Sequence, residues 1–136
     1  MVENFGSIFY LILFIVQLLG LTFYSYLILF TPKTLVADYG FGEPAIPAVR
    51  LIGSFIIPIV LIGIYLMFTS IEGAWVYFVF VLMTSIYQLA YDLLTRMKVI
   101  DSSLNVINKT QDTILSVIFI AINVVLLNGL QDKIFI

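Results

Sequence analysis

The chain contains no histidine and no cysteine, and charged residues occupy only 10% of its 136 positions. Without cysteine there is no disulfide, no thiolate nucleophile and no thiolate-held iron–sulfur cluster. Without histidine the usual ligands of haem, copper and catalytic zinc are missing, which excludes the common redox and metal-dependent enzymes. The scarcity of charge acts differently. A soluble domain carries roughly 25% charged residues because its surface must be solvated, and this chain cannot cover itself that way. A formal charge of −2 also leaves no basic footprint for nucleic acid.

Apolar residues fill the space: 62% of the chain, with mean hydropathy +1.18. They fall into four runs, at about residues 6–30, 48–68, 74–95 and 112–129. Each meets the roughly 20 residues needed to cross about 30 Å of hydrocarbon as a helix. A membrane barrel needs at least about eight strands with alternating polarity, so the pattern predicts an all-α, polytopic membrane protein, a single antiparallel bundle of four transmembrane helices. The first run lacks the basic n-region of a signal peptide and exceeds an h-region of roughly 7–15 residues. It reads as a retained first transmembrane helix.

The connections differ in kind. Thr31 to Pro47 holds Pro32, Gly40, Gly42, Pro44 and Pro47, leaving room for a short interfacial turn around Thr34–Tyr39. Thr69 to Gly73 is tight and predicts that segments two and three are hairpin partners. Arg96 to Gln111 is polar, with Asp101, Ser102 and Ser103 as a turn or cap signal. Lys33, Arg50, Arg96, Lys98 and Lys109 flank the first and third connections, against Lys133 alone on the other side. The positive-inside rule therefore places loops 31–47 and 96–111 in the cytoplasm and both termini outside. The plasma (inner) membrane is the expected location. On that topology the sequon Asn108-Lys109-Thr110 is a chance match.

Polar side chains within the apolar runs are expensive and need an explanation. Segment three carries Thr84, Gln88, Tyr91, Asp92 and Thr95, which share one side of a helix and predict an inward-facing stripe. Arg50, near the start of segment two, stands at similar depth to Asp92, so an Arg50–Asp92 ion pair is the natural expectation. Ser54 belongs with them, because Pro58 removes the N–H that its carbonyl needs. Arg50, Ser54, Gln88, Tyr91 and Asp92 are the candidate ligand-binding residues. Their alternative roles are a structural ion pair or, for Arg50, contact with lipid phosphates. Gln17 and Asn123, mid-span in segments one and four, predict hydrogen bonds across helices. No Ser/His/Asp set, phosphate loop or metal-spaced carboxylate pair is present, so no catalytic residue, metal or cofactor is expected.

The stretch Phe30-Thr31-Pro32, Tyr39-Gly40-Phe41-Gly42 and Val49-Arg50-Leu51-Ile52-Gly53 resembles the DoxX-like and DUF4345 group of small four-helix membrane proteins. The resemblance covers roughly residues 5 to 68 and implies the fold. Many of its DoxX members carry an acidic residue shortly after that glycine, whereas Ser54, Phe55, Ile56 and Ile57 follow here, so the redox association of the group does not carry over. The small multidrug exporters match in size but depend on a glutamate in their first helix, and segment one has no carboxylate after Glu3.

The expected function is non-enzymatic: an accessory or assembly subunit of a larger membrane complex, in contact with the bilayer and with other membrane subunits or with itself. The alternative is a lipid- or small-molecule-binding protein, or a minimal transporter, with a cytoplasm-facing polar pocket.

Overall fold

A computed structural model describes residues 1–136 and is helical throughout, with no strand. Four long helices carry the bundle: α2 (Ile8–Phe30), α4 (Ile46–Phe68), α5 (Trp75–Arg96) and α6 (Thr110–Gly129). All four are long and apolar enough to span a bilayer, which makes this an integral membrane protein. Three short helices join them: α1 (Val2–Phe5), α3 (Pro32–Asp38) and α7 (Gln131–Ile134). The mean hydropathy of α5 is 1.4, against 2.5 for the span that includes α4. The polar stripe accounts for the difference.

The ends of the helices have local causes. Ser7 accepts a hydrogen bond from the Tyr10 N–H and starts α2 at Ile8. Pro32 stands at the first position of α3, where its missing N–H costs nothing. The same helix ends in a Schellman motif: Gly40, at φ 80°, donates to the Ala37 carbonyl and Phe41 donates to the Val36 carbonyl. A side chain at Gly40 would also collide with the Asn105 carbonyl. Helix α5 closes the same way, with Lys98 at φ 58° in the glycine position.

The close helix pairs are α5 with α6, α2 with α4 and α2 with α6. Segments two and three are joined by the tight turn but are not among them, which corrects the expectation of a packed hairpin. Helix α4 packs chiefly on α2 and helix α5 chiefly on α6, while α2 and α6 contact each other. Near the turn α4 and α5 still meet, because Gly63 leaves room for Tyr77. A β-carbon there would lie 2.5 Å from the tyrosine hydroxyl and 2.8 Å from Leu18.

One end of the bundle, the termini end, is sealed by apolar packing. Phe5, Phe14, Ile71, Phe78, Leu126, Leu130 and Ile134 are all at most 1% exposed. The Asn4 side chain fastens this end with both halves of its amide. Nδ2 donates to the Leu66 carbonyl at 3.0 Å, and Oδ1 accepts the Ile71 N–H at 2.9 Å. At the opposite, loop end the two long connections meet. The Ile107 N–H donates to the Tyr39 carbonyl at 3.0 Å, and Lys109 pairs with Asp38 at 3.5 Å.

Candidate functional site

The polar residues at the loop end are held by α5, α6 and the strand of loop before α6. Asp92, Thr95 and Arg96 lie on the last turns of α5, and Thr113 on the first turn of α6. Asn108 reaches in from the connection. Its Nδ2 donates to Asp92 Oδ1 at 3.2 Å and to Thr95 Oγ1 at 2.9 Å. The Thr113 hydroxyl donates to Asp92 Oδ2. Arg96 Nη2 donates to Thr113 Oγ1 at 2.9 Å and stands 3.6 Å from Asp92 Oδ2. The Asp92 side chain is 14% exposed, and both of its oxygens are engaged. A carboxylate so neutralised and so bonded is a fastening between α5 and α6.

The Arg50–Asp92 ion pair does not form. Arg50 is exposed and belongs to none of the three ion pairs, which join Lys33 to Glu43, Arg96 to Asp92 and Lys109 to Asp38. Two physical reasons stand behind this. Helices α4 and α5 are not close partners, and Arg96, one turn from Asp92 on the same helix, gets there first. Ser54 is exposed as well, and its hydroxyl donates to the Leu51 carbonyl on its own helix at 2.6 Å. Tyr91 is half-buried and donates to Asp101 Oδ2 in the following connection at 2.9 Å. The five candidate residues are therefore not one pocket: Asp92 sits in the fastening, Tyr91 beside it, and Arg50 and Ser54 on the outer side of α4.

Gln88 occupies a different place. It lines a narrow crevice of about 50 Å³ with Tyr24 of α2, Ile56 and Ile59 of α4, Thr84 of α5 and Phe119 of α6. A larger, open polar cleft of about 360 Å³ lies at the termini end, between Asn4, Glu72 and Lys133. The stripe on α5 is inward only in part. Thr95 is buried, Thr84 and Asp92 are half-buried, and Gln88 is exposed.

In the middle of the bundle, Gln17 and Asn123 are buried to 1% and 0% exposure. The expected bonds across helices are not made. Asn123 Nδ2 donates to the Phe119 carbonyl of its own helix at 2.8 Å, and neither Gln17 Nε2 nor Asn123 Oδ1 has a partner. At the loop end Tyr39, on the connection after α3, has its hydroxyl pKa raised above the usual 10.0. Burial is the main cause, and the neighbouring Tyr24 and Asp112 add to it.

Several participants were not singled out by the sequence. Arg96 carried a readable signal, an acidic residue four positions before a basic one on a helix. Asn108 was visible only as a sequon, and Thr113 and Tyr39 gave no signal. The chain was compared with known proteins, and it matches no family model, no curated protein and no solved structure.

Proposed function

We propose that the protein is an accessory or assembly subunit of a larger membrane complex, a helical scaffold whose outer face docks against other transmembrane helices. The observation that carries this reading is Tyr87. It stands twelve residues into the 22-residue α5, and the residue is 72% exposed. At about 1.5 Å per residue that is close to mid-bilayer. Tyrosines favour the headgroup region, where the hydroxyl stays wet. A phenol facing hydrocarbon at mid-depth calls for a hydrogen-bonding partner, and a neighbouring helix supplies one. The use of Asp92, Thr95, Asn108 and Thr113 as fastenings supports the same reading, since the one carboxylate within the α5 stripe is spent on joining α5 to α6.

Five of the six basic residues lie at the loop end, which supports a cytoplasmic placement of that end in an inner or plasma membrane, with the termini outside. The resemblance of residues 5–68 to DoxX-like proteins bears on fold and adds no activity. A small-molecule pocket or transport path is the weaker reading. The interior crevice of about 50 Å³ is far below the roughly 300–1,000 Å³ of ligand pockets, and the cleft of about 360 Å³ at the termini end is open and has one hydrophobic lining residue, unlike the mostly apolar lining of such pockets.

A photo-crosslinking amino acid at position 87 tests the proposal in native membranes. The expected result is one defined protein adduct, together with a heteromeric mass in native mass spectrometry that Tyr87→Ala weakens. Crosslinks to lipid alone, with an unchanged monomer mass, count against it.

A further inference from the structure

We infer that the polar cleft at the termini end seats a phosphoethanolamine group, with Lys133 holding the phosphate and Glu3 and Glu72 the ammonium. A membrane lipid with that head is its natural carrier. The site stands apart from Tyr87, on other residues and at one end of the bundle.

Hydrogen bonds fix the walls of the cleft. Asn4 of α1 binds the Leu66 carbonyl at 3.0 Å and the Ile71 N–H at 2.9 Å, which sets the turn after α4 against α1. The Gly73 N–H donates to the Lys133 carbonyl at 3.3 Å and joins the same turn to α7. Glu72 therefore stands in a set relation to both Glu3 and Lys133. The Lys133 stem crosses Gly6, where a β-carbon would come within 3.0 Å of its Cε, and its ammonium donates to the Glu3 carbonyl at 3.4 Å. This lysine is half-buried, so the fold positions its charge.

The charges in the cleft are unmatched. Lys133 shares it with two carboxylates and pairs with neither. All three ion pairs of the molecule lie at the loop end. One ammonium proton of Lys133 is spent on the Glu3 carbonyl, and two are left to donate. Ser70 adds a donor: its Oγ accepts the Glu72 N–H at 3.1 Å, which leaves the hydroxyl hydrogen free. On the other side, neither Glu3 nor Glu72 is neutralised.

These walls narrow the ligand. A simple anion would meet two carboxylates, and a simple cation would meet Lys133. A group with both charges satisfies all three. A primary ammonium gives N–H donors to the carboxylates, whereas a quaternary ammonium has none and is held by aromatic rings. No aromatic residue lines the cleft. A serine head would bring a further carboxylate beside Glu3 and Glu72. At about 360 Å³ the space falls within the roughly 300–1,000 Å³ of ligand sites, and its single apolar lining residue leaves any acyl chains outside. Its depth fits a lipid head. Thr69 and Ser70 directly follow α4, and Trp75, which opens α5, stacks on Phe135 at 6.1 Å. Tryptophan at a helix end marks the headgroup layer.

The test uses the full chain in phosphatidylcholine nanodiscs doped with phosphatidylethanolamine, so it is independent of any partner subunit. Native mass spectrometry reads the lipid that stays bound on gentle release. The expected result is a preference for phosphatidylethanolamine over phosphatidylcholine of about fivefold or more, lost in Glu72→Gln and in Lys133→Gln. Glu72 lies in the turn and its carboxylate enters no ion pair, so Glu72→Gln should keep the parent melting temperature and carries the test where the lysine variant fails to fold. Free phosphoethanolamine added to plain phosphatidylcholine nanodiscs separates the sources. Saturable binding there supports the site with a soluble ligand, and lipid preference without it supports the site with a membrane lipid. Absence of both, a stronger retention of phosphatidylglycerol, or a preference unchanged in folded Glu72→Gln overturns the inference.

Discussion

Asn108 and Asp92 are sixteen residues apart, and the asparagine amide donates to the aspartate at 3.2 Å and to Thr95 at 2.9 Å. With Thr113 and Arg96 they tie the connection before α6 to the end of α5. Asp92→Ala removes the acceptor shared by Asn108, Thr113 and Arg96, and should cost about 2 kcal/mol. Asn108→Ala should cost about 1 kcal/mol, and a double-mutant cycle should show the two effects to be coupled. Arg50→Ala should stay within about 0.5 kcal/mol of the parent. The charge swap Arg50→Asp with Asp92→Arg should be as damaging as Asp92→Arg alone, since no Arg50–Asp92 pair exists to restore. Rescue by the swap, measured as folded yield in detergent, sinks this assignment.

Gln17 presents the opposite case. Its Nε2 is buried without a partner, and an unsatisfied buried donor costs about 1–3 kcal/mol. Gln17→Leu should therefore raise stability by about 1 kcal/mol or more, as nearly the same volume is filled without a polar group. Asn123→Leu should gain less, because its Nδ2 already donates to the Phe119 carbonyl. Thermal unfolding of both variants in one detergent decides it, and a loss of stability in Gln17→Leu refutes the reading.

The four spans were legible because hydropathy and length depend on composition along the chain, which the sequence displays directly. The loop-end cluster was half legible. Asp92 was identified, but its partner was sought on α4, on the assumption that a tight turn makes close neighbours. The pairing of α4 with α2 and of α5 with α6 is a packing choice, and close approaches such as Phe119 against Gly20 carry no periodic signal. Asn108 was passed over because a loop asparagine has many possible partners and the sequence ranks none of them. Gln88 was identified as polar and inward-facing. That it would remain exposed depends on tertiary packing, which the sequence does not display.

Lys98 holds a position that favours glycine. It closes α5 at φ 58°, a left-handed conformation that costs a residue with a β-carbon about 1 kcal/mol. Lys98→Gly should raise stability by about that amount. Gly40→Ala should lower it by more, because the same strain is joined by overlap with the Asn105 carbonyl. Opposite signs at two equivalent helix ends are the check, read from melting temperatures of the single variants.

Tyr39 makes stability depend on alkaline pH. Its hydroxyl is buried near Tyr24 and Asp112, and these raise its pKa above 10.0. The unfolded chain then loses the tyrosine proton more easily than the folded one. The stability that comes from keeping this phenol neutral is fully present below about pH 10. Above that value the unfolded state begins to ionise while the folded state resists, and stability falls with each further step in pH. Tyr39→Phe abolishes the titration, so its unfolding free energy should fall less steeply above pH 10 than that of the parent. The carbonyl that accepts the Ile107 N–H belongs to the backbone and survives the substitution, which keeps the two loops joined in both proteins. Parallel pH slopes for parent and variant between pH 9 and 11.5 would show that Tyr39 is not the responsible group.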